Sequence, residues 1–456
     1  MTVEDPSDAF ADLSALLAQG EAERDGRLVR AADPAVIAMT RRRRTRRRIV
    51  AASVVGVVVA IIATYIPVAL SAPTAAATVD VTGKSSAVLR GTPVALNIPG
   101  VGESAVSVTG SPQFQALTGT KEIVASGGGN GAKSIASISK LITALVVLGA
   151  KPLSATDAGP TITFSKADSD LYDTYYVMGA SIQPMSTGSR MSLHDALTTM
   201  LVASACNYAD AVSTWAFGSQ ANFLAATRKW LAAHGLSGTK MVEPTGVSAQ
   251  NVSTPSDMIA IGRLAMANPL VASIVGSSVA SVANIGTVVN TNDLLGVEGI
   301  NGIKTGTLVG SNLLFSASLP VAGITDPLTV VGVVLGGDDR SSVDGATQAL
   351  ISSIESGFQK LELTKQDVVF ATVSTPWKDT AKIVAGENAF VLTWSNNPIK
   401  ATVSIDPITT AKSGTKVGTV TYQAGNEKVV VPLVLKGSIT EPDAWWKLSH
   451  GPGTAK

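Results

Sequence analysis

The sequence predicts an α+β protein held at a membrane by one N-terminal helix. Three observations carry that prediction. The first is an uncharged apolar run from Ile49 to Leu70, directly behind seven arginines at 41–44 and 46–48. The second is the order of hydrophobic periodicities between residues 95 and 363. Two alternating stretches come first, then a block with helical spacing, then three strand-like stretches and a closing helix. That order describes an antiparallel sheet with helices on its faces and a helical lobe inserted between its strands. The third is a change beyond Val368 to short alternating segments broken by Gly and Pro, the pattern of a small all-β domain.

The apolar run is long enough to cross a bilayer as a helix, which takes about 20 residues. No lysine or arginine follows it until Lys84. The positive-inside bias therefore places residues 1–48 in the cytoplasm and the chain after 72 outside the cell. A signal peptide cut at Ala75-Ala76-Ala77 is the alternative, and the length of the leader and of the apolar run favours an uncleaved anchor. Residues 1–48 read as a poorly ordered tail, with Phe10, Leu13, Leu16 and Leu17 spaced for a short amphipathic helix. Residues 71–94, rich in Ala, Thr, Ser and Val, read as a stalk.

Composition excludes several classes. A net charge of +1 argues against a nucleic-acid partner, and the arginine block is accounted for by the membrane run behind it. The single cysteine, Cys206, leaves no internal disulfide. His194, His234 and His450 are far apart, with no Cys/His cluster, so neither a metal nor a cofactor is expected. The two early strands are expected around Ala105–Val108 and Glu122–Val124. Gly127 to Ser134 looks like a phosphate loop, but Ala132 separates glycine from Lys133, and it reads as a flexible connection. Helices are expected from Ser192 to about Ser204 and from Gln220 to His234. Strands are expected at 303–307, 313–317 and 328–335, then a helix near 344–361. The β domain is assigned to 366–437 and a tail to 438–456, with Trp445 and Trp446 expected to pack on that domain.

The chemistry centres on Ile135 to Leu145. Apolar residues at 138, 141, 142, 145 and 148 mark a buried helix face. Ser137 and Lys140 stand one turn apart on it. A serine hydroxyl is a poor nucleophile at neutral pH and needs a base within hydrogen-bond reach, which a lysine of lowered pKa supplies. The same spacing at Ser237–Lys240 and Ser413–Lys416 carries a central Gly-Thr and reads as turn or strand. Two further signals follow in order: Ser204 after the end of a helix, and Lys304-Thr305-Gly306 on a strand. Acyl transfer through a serine ester needs these parts: a nucleophile with its base, a proton relay, and a cation for a terminal carboxylate.

The segments 136–144, 200–209 and 302–306, with Glu243-Pro244-Thr245-Gly246 between them, resemble the D-alanyl-D-alanine carboxypeptidases. These are the low-molecular-mass penicillin-binding proteins of peptidase family S11, and the resemblance spans about residues 95–363. It implies a serine β-lactamase/penicillin-binding-protein-like transpeptidase fold. It also implies Ser137 as nucleophile, Lys140 as base and Ser204 as proton relay. Lys304 and Thr305 would bind the carboxylate, Gly306 would admit the substrate backbone, and the N–H groups of Ser137 and Thr307 would form the oxyanion hole. The implied partners are a peptidoglycan stem peptide ending in D-Ala-D-Ala, and β-lactams that acylate Ser137. One departure stands out. The family's Ser-x-Asn reads Ser204-Ala205-Cys206, with Asn207 one residue late. Cys206 and Asn207 are both carried as substrate-contact candidates. Two alternatives stay open: a weak or inactive relative acting as a cell-wall peptide-binding module, and a β-lactamase.

Overall fold

The computed structural model describes residues 34–82 and 87–451, so the amphipathic stretch at Phe10–Leu17 lies outside the described residues. Residues 77–440 form one compact unit, and the segments before and after it form a second.

In the second unit, α1 (Pro34–Ser71) is one continuous helix with Pro67 inside it. Its part from Arg41 to Ser71 is long and apolar enough to cross a membrane.

The main unit is built on a five-stranded antiparallel sheet. It uses β3 (Glu103–Thr109), β4 (Glu122–Gly127), β5 (Ile300–Thr307), β6 (Ser311–Leu319) and β7 (Leu328–Gly337), in the order β5-β6-β7-β3-β4. The chain segment expected as a stalk supplies β1 (Thr78–Val81) and β2 (Val88–Leu89), which belong to a different sheet described below. β7 explains the continuous apolar run that predicted it. Side chains alternate across a strand. Val331 and Val333 join the core on one face, and Val330 and Val334 join the core on the other.

α2 (Pro112–Thr118) joins β3 to β4, and the helices between the two halves of this sheet are α3 (Ser139–Ala150), α4 (Lys166–Val177), α5 (Leu193–Val202), α6 (Cys206–Phe217), α7 (Gln220–Ala233), α8 (Pro255–Ala267) and α9 (Pro269–Val275). Their starts follow from capping chemistry, in which a side-chain oxygen takes up an orphan N–H of the first turn. Ser165, Ser192, Ser219, Thr254 and Asn268 each accept such a bond, and proline occupies the first turn of α8 and α9. α3 has no such cap and is buried on all sides from Ser139 to Leu148. Its stability comes from packing, not from its ends. α8 covers one face of the sheet. α10 (Arg340–Ser356), started by a reciprocal Asp339–Ser342 cap, covers the other.

Beyond α10 the chain forms β8 (Phe358–Thr364), where the sequence suggested continued helix, then β9 (Val369–Ser374), β10 (Thr380–Ala385), β11 (Ala389–Trp394), β12 (Ile399–Ile405), β13 (Lys416–Ala424) and β14 (Glu427–Lys436). A seven-stranded sheet has the order β1-β9-β10-β14-β13-β12-β2, and β8 pairs with β11. Phe370, Ile383, Val420, Tyr422 and Leu433 form its core. The turn at Gly425 is held against α2, where Asn426 N–H donates to Ala116 O at 3.0 Å.

The chain ends in α11 (Ala444–His450), capped by Asp443. It packs on α1, where Tyr65 Oη donates to Leu448 O at 2.8 Å. Trp445 and Trp446 sit on this short helix, and Trp445 is 78% exposed.

Candidate active site

Ser137 lies in a tight turn, Ala136–Ile138, that leads into α3. Ala136 has φ +46°, a left-handed conformation that costs a side-chain-bearing residue energy and persists only when its surroundings impose it. Two glycines impose it here. A Cβ on Gly246 would stand 1.9 Å from Ala136 O, and one on Gly306 would stand 2.8 Å from Ile135 O and 3.1 Å from Ser137 N. Both segments press directly on the backbone that carries Ser137, and any larger residue would push them away.

Lys140 is fully buried, one turn further on. Its Nζ is 2.9 Å from Ser137 Oγ and donates to Thr245 O at 2.7 Å. Helical spacing brings the pair together, and the 243–251 loop fixes the lysine end.

Lys304 is the second buried cation. Burial holds its pKa well below the usual lysine range, and the charges of Lys140 and Arg340 push it the same way. Its Nζ donates to Thr291 Oγ1 at 3.1 Å, and Thr291 Oγ1 also lies 2.7 Å from Thr305 Oγ1. Arg340, the first residue of α10, hydrogen-bonds Thr291 O and pairs with Asp293 at 3.6 Å. Thr291 and Arg340 gave no signal in the sequence. Folding alone brings the 291 segment and the start of α10 to the end of β5.

β5 is an edge strand, so one side of its backbone is unpaired by the sheet. Gly306 pairs with Asn312 and Thr307 with Ser311 on the other side. Thr307 ends the strand and is exposed.

Ser204 sits between α5 and α6, buried, with φ +59°. Cys206 is buried as the first residue of α6, and its N–H donates to Ser181 O at 2.7 Å. It lies within electrostatic reach of Lys304. Asn207 is not available to a ligand. It is fully buried, its Oδ1 accepts from Gln183 N at 3.2 Å, and its Nδ2 donates to Gln183 O at 2.7 Å. The late asparagine therefore holds the 181–184 segment, and the position two after Ser204 belongs to the thiol. Behind it, Tyr175 Oη donates to Asp210 at 2.9 Å. Burial and that carboxylate push the phenol pKa up, so it stays a donor.

Among the described residues no cluster of three or more His, Cys, Asp or Glu could hold a metal ion.

Residues 117–338 match the family model of peptidase S11, D-alanyl-D-alanine carboxypeptidase. No curated protein shows significant similarity to the chain. Similar solved structures include a peptidoglycan synthesis regulatory factor (PBP3) from Streptococcus pneumoniae, 22% identical, covering 74% of this chain and 99% of that one with a TM-score of 0.49. Penicillin binding protein 5 from Haemophilus influenzae is 18% identical, with 77% and 100% covered and a TM-score of 0.48. The D-alanyl-D-alanine carboxypeptidase DacD from Francisella tularensis is 18% identical, with 77% and 96% covered and a TM-score of 0.46. The matched segment contains Ser137, Lys140, Ser204 and Lys304, and this segment belongs to the D-alanyl-D-alanine carboxypeptidases of peptidase family S11, which are serine-type hydrolases.

Proposed function

We propose that the protein removes the terminal D-alanine from peptidoglycan stem peptides through an acyl-enzyme on Ser137, and that β-lactams acylate the same serine. The observation that carries the reading is the 2.9 Å approach of Lys140 Nζ to Ser137 Oγ in a buried setting. A stem peptide lies extended along the free edge of β5, where Gly306 lets its backbone come close. Its terminal carboxylate meets Lys304, Thr305 and the nearby Arg340. That carboxylate restores to Lys304 the partner that favours its charged form. Ser137 Oγ attacks the carbonyl carbon of the penultimate residue while its proton passes to Lys140. The N–H groups of Ser137 and Thr307 hold the oxyanion. Ser204 passes the proton to the departing amine of D-alanine. Water then attacks the ester, with Lys140 again as base, and frees the shortened peptide. The arginine block within α1, just ahead of its apolar part, supports a cytoplasmic N-terminus and a main unit outside the cell, where peptidoglycan is found.

The test is gel labelling of the full chain with a fluorescent penicillin beside Ser137→Ala, together with D-alanine release from a D-Ala-D-Ala peptide. A band lost on substitution, with D-alanine released by the wild type, supports the reading. Labelling without release favours the peptide-binding module instead, for which Cys206 is the supporting feature. A β-lactamase needs a carboxylate free to activate water near the ester. Glu243 is the nearby candidate, and both its oxygens are already engaged within its own loop. Rapid turnover of a chromogenic cephalosporin would revive that alternative.

Cys206 gives a graded prediction. A thiol is a weak hydrogen-bond partner. Cys206→Asn adds an amide that can hold the substrate, an interaction of ~1–3 kcal/mol, so kcat/KM for peptide should rise about tenfold or more. Steady-state D-alanine release checks it, and an unchanged or lower rate would mean the thiol is already the fitted group.

A further inference from the structure

The loop between α7 and α8 holds a carboxylate that the steps above do not use. Glu243 Oε2 accepts from Thr245 N and Thr245 Oγ1, both at 2.6 Å. Its Oε1 accepts from Gly246 N at 2.7 Å, Asn251 Nδ2 at 2.8 Å and Ser248 N at 3.3 Å. Every one of these partners is a donor. The position therefore calls for a group that only accepts, which an ionised carboxylate is and an amide is not.

The loop wound around this carboxylate makes separate contacts with the elements that carry the acylation centre. Thr245 O accepts from Lys140 Nζ at 2.7 Å, and Pro244 O accepts from Thr143 Oγ1 at 2.7 Å, both on α3. Gly246 backs onto the strained Ala136. Asn251 Nδ2, besides meeting Glu243, donates to Ser139 Oγ at 3.0 Å. None of the Glu243 hydrogen bonds reaches Ser137 or Lys140, yet each loop group that does touch their helix is bonded to Glu243 or adjacent to one that is.

We infer that Glu243 is a positioning residue of the acylation centre, acting through the Thr245 carbonyl to set Lys140 Nζ against Ser137 Oγ. The inference rests on the acyl-enzyme reading of Ser137. Glutamine has the shape of glutamate but turns an NH2 toward partners that all donate, so at least one contact opens and the carbonyl shifts. A residue that only stabilised the fold would lower the melting temperature and leave the chemistry of the folded molecules intact. A positioning residue slows the chemical step and leaves ligand binding alone.

The experiment is stopped-flow acylation of the full chain by a fluorescent penicillin, resolving the non-covalent binding constant from the acylation rate constant. Glu243→Gln should slow acylation about tenfold or more and leave binding within about twofold, and Glu243→Asp, which keeps an acceptor-only group, should recover part of the rate. Thr143→Val is near-isosteric and removes the Oγ1 hydrogen bonds to Pro244 O and, within α3, to Ser139 O, so it serves if Glu243→Gln does not fold. It should slow acylation a few-fold with binding unchanged. A wild type that acylates normally while the folded variants match its rate constant overturns this inference alone, as does a loss confined to binding. A folded wild type that is never acylated overturns the acyl-enzyme reading and this inference with it.

Discussion

Lys304→Met should melt at a higher temperature than the wild type and should process a carboxylate-terminated peptide poorly. Lys304 is fully buried and holds one hydrogen bond, to Thr291 Oγ1, in a region that also feels Lys140 and Arg340. Burial and those neighbours disfavour its charge, so protonation is harder in the folded chain than in the unfolded one. The unfolded state therefore binds more protons, and stability rises with pH between the depressed folded value and the usual lysine range. Below that window the whole penalty is present. Replacing a buried charge by a hydrocarbon of similar shape is commonly neutral or stabilising by ~1–4 kcal/mol, which corresponds to a few degrees of melting temperature in a domain of this size. The gain should be largest at acid pH and fade as the solution becomes alkaline. Thr291 keeps Thr305 as a partner, so the substitution orphans no hydroxyl. Function moves the other way. In the proposed mechanism a charge-assisted contact to the substrate carboxylate is lost, and kcat/KM should fall by about one to two orders of magnitude. Melting curves at several pH values with D-alanine release on the same samples measure both. A variant that melts lower than the wild type would mean that Lys304 is held by more than the contacts described.

Lys140→Met should produce the largest loss of chemistry short of removing the nucleophile. In the proposed mechanism Lys140 is the general base, a role that contributes about 10²–10⁴-fold, and the same amine also satisfies Thr245 O. Acylation should slow by that factor while non-covalent penicillin binding changes little. The double variant with Glu243→Gln should be scarcely slower than Lys140→Met alone, because groups that act as one unit are not additive. Stopped-flow acylation of the two single variants and the double variant measures this, and losses that multiplied would separate Glu243 from Lys140.

Where contacts are local, the sequence was a sufficient guide. Ser137 and Lys140 meet because they are one turn apart, and the buried positions 138, 141, 142, 145 and 148 follow helical spacing. β7 was legible as an unbroken apolar run because both its faces are covered. Contacts between distant segments were not legible. β1 looks like a stalk because it is short and rich in small residues, and its partner β9 lies at the far end of the chain, with Thr78 opposite Ser374. Asn207 looked like a substrate contact until the 181–184 segment, unremarkable in sequence, was found to occupy its amide. Glu243-Pro244-Thr245-Gly246 was visible as a motif, but the convergence of five donors on one carboxylate is a property of the folded loop. Trp445 and Trp446 were visible as aromatic residues, while the helix they ride on is decided by Asp443 and by Tyr65, at the opposite end of the sequence.

The placement of β1 has a mechanical consequence. Under the proposed topology α1 is a membrane anchor, and a pull on it would enter the main unit at Ala77. Ala77 N–H is bonded to Ile408 O, and the next four residues are zipped to β9. Tension along the tether is therefore carried first by the seven-stranded sheet. The chain from β2 onward, which leads to Ser137, lies downstream of that ladder and is shielded while the ladder holds. The β sheet then acts as a strain relief, like the collar where a cable enters an instrument, and the close fit of Ala136 against two glycines is left undisturbed by a pull on the N-terminal segment.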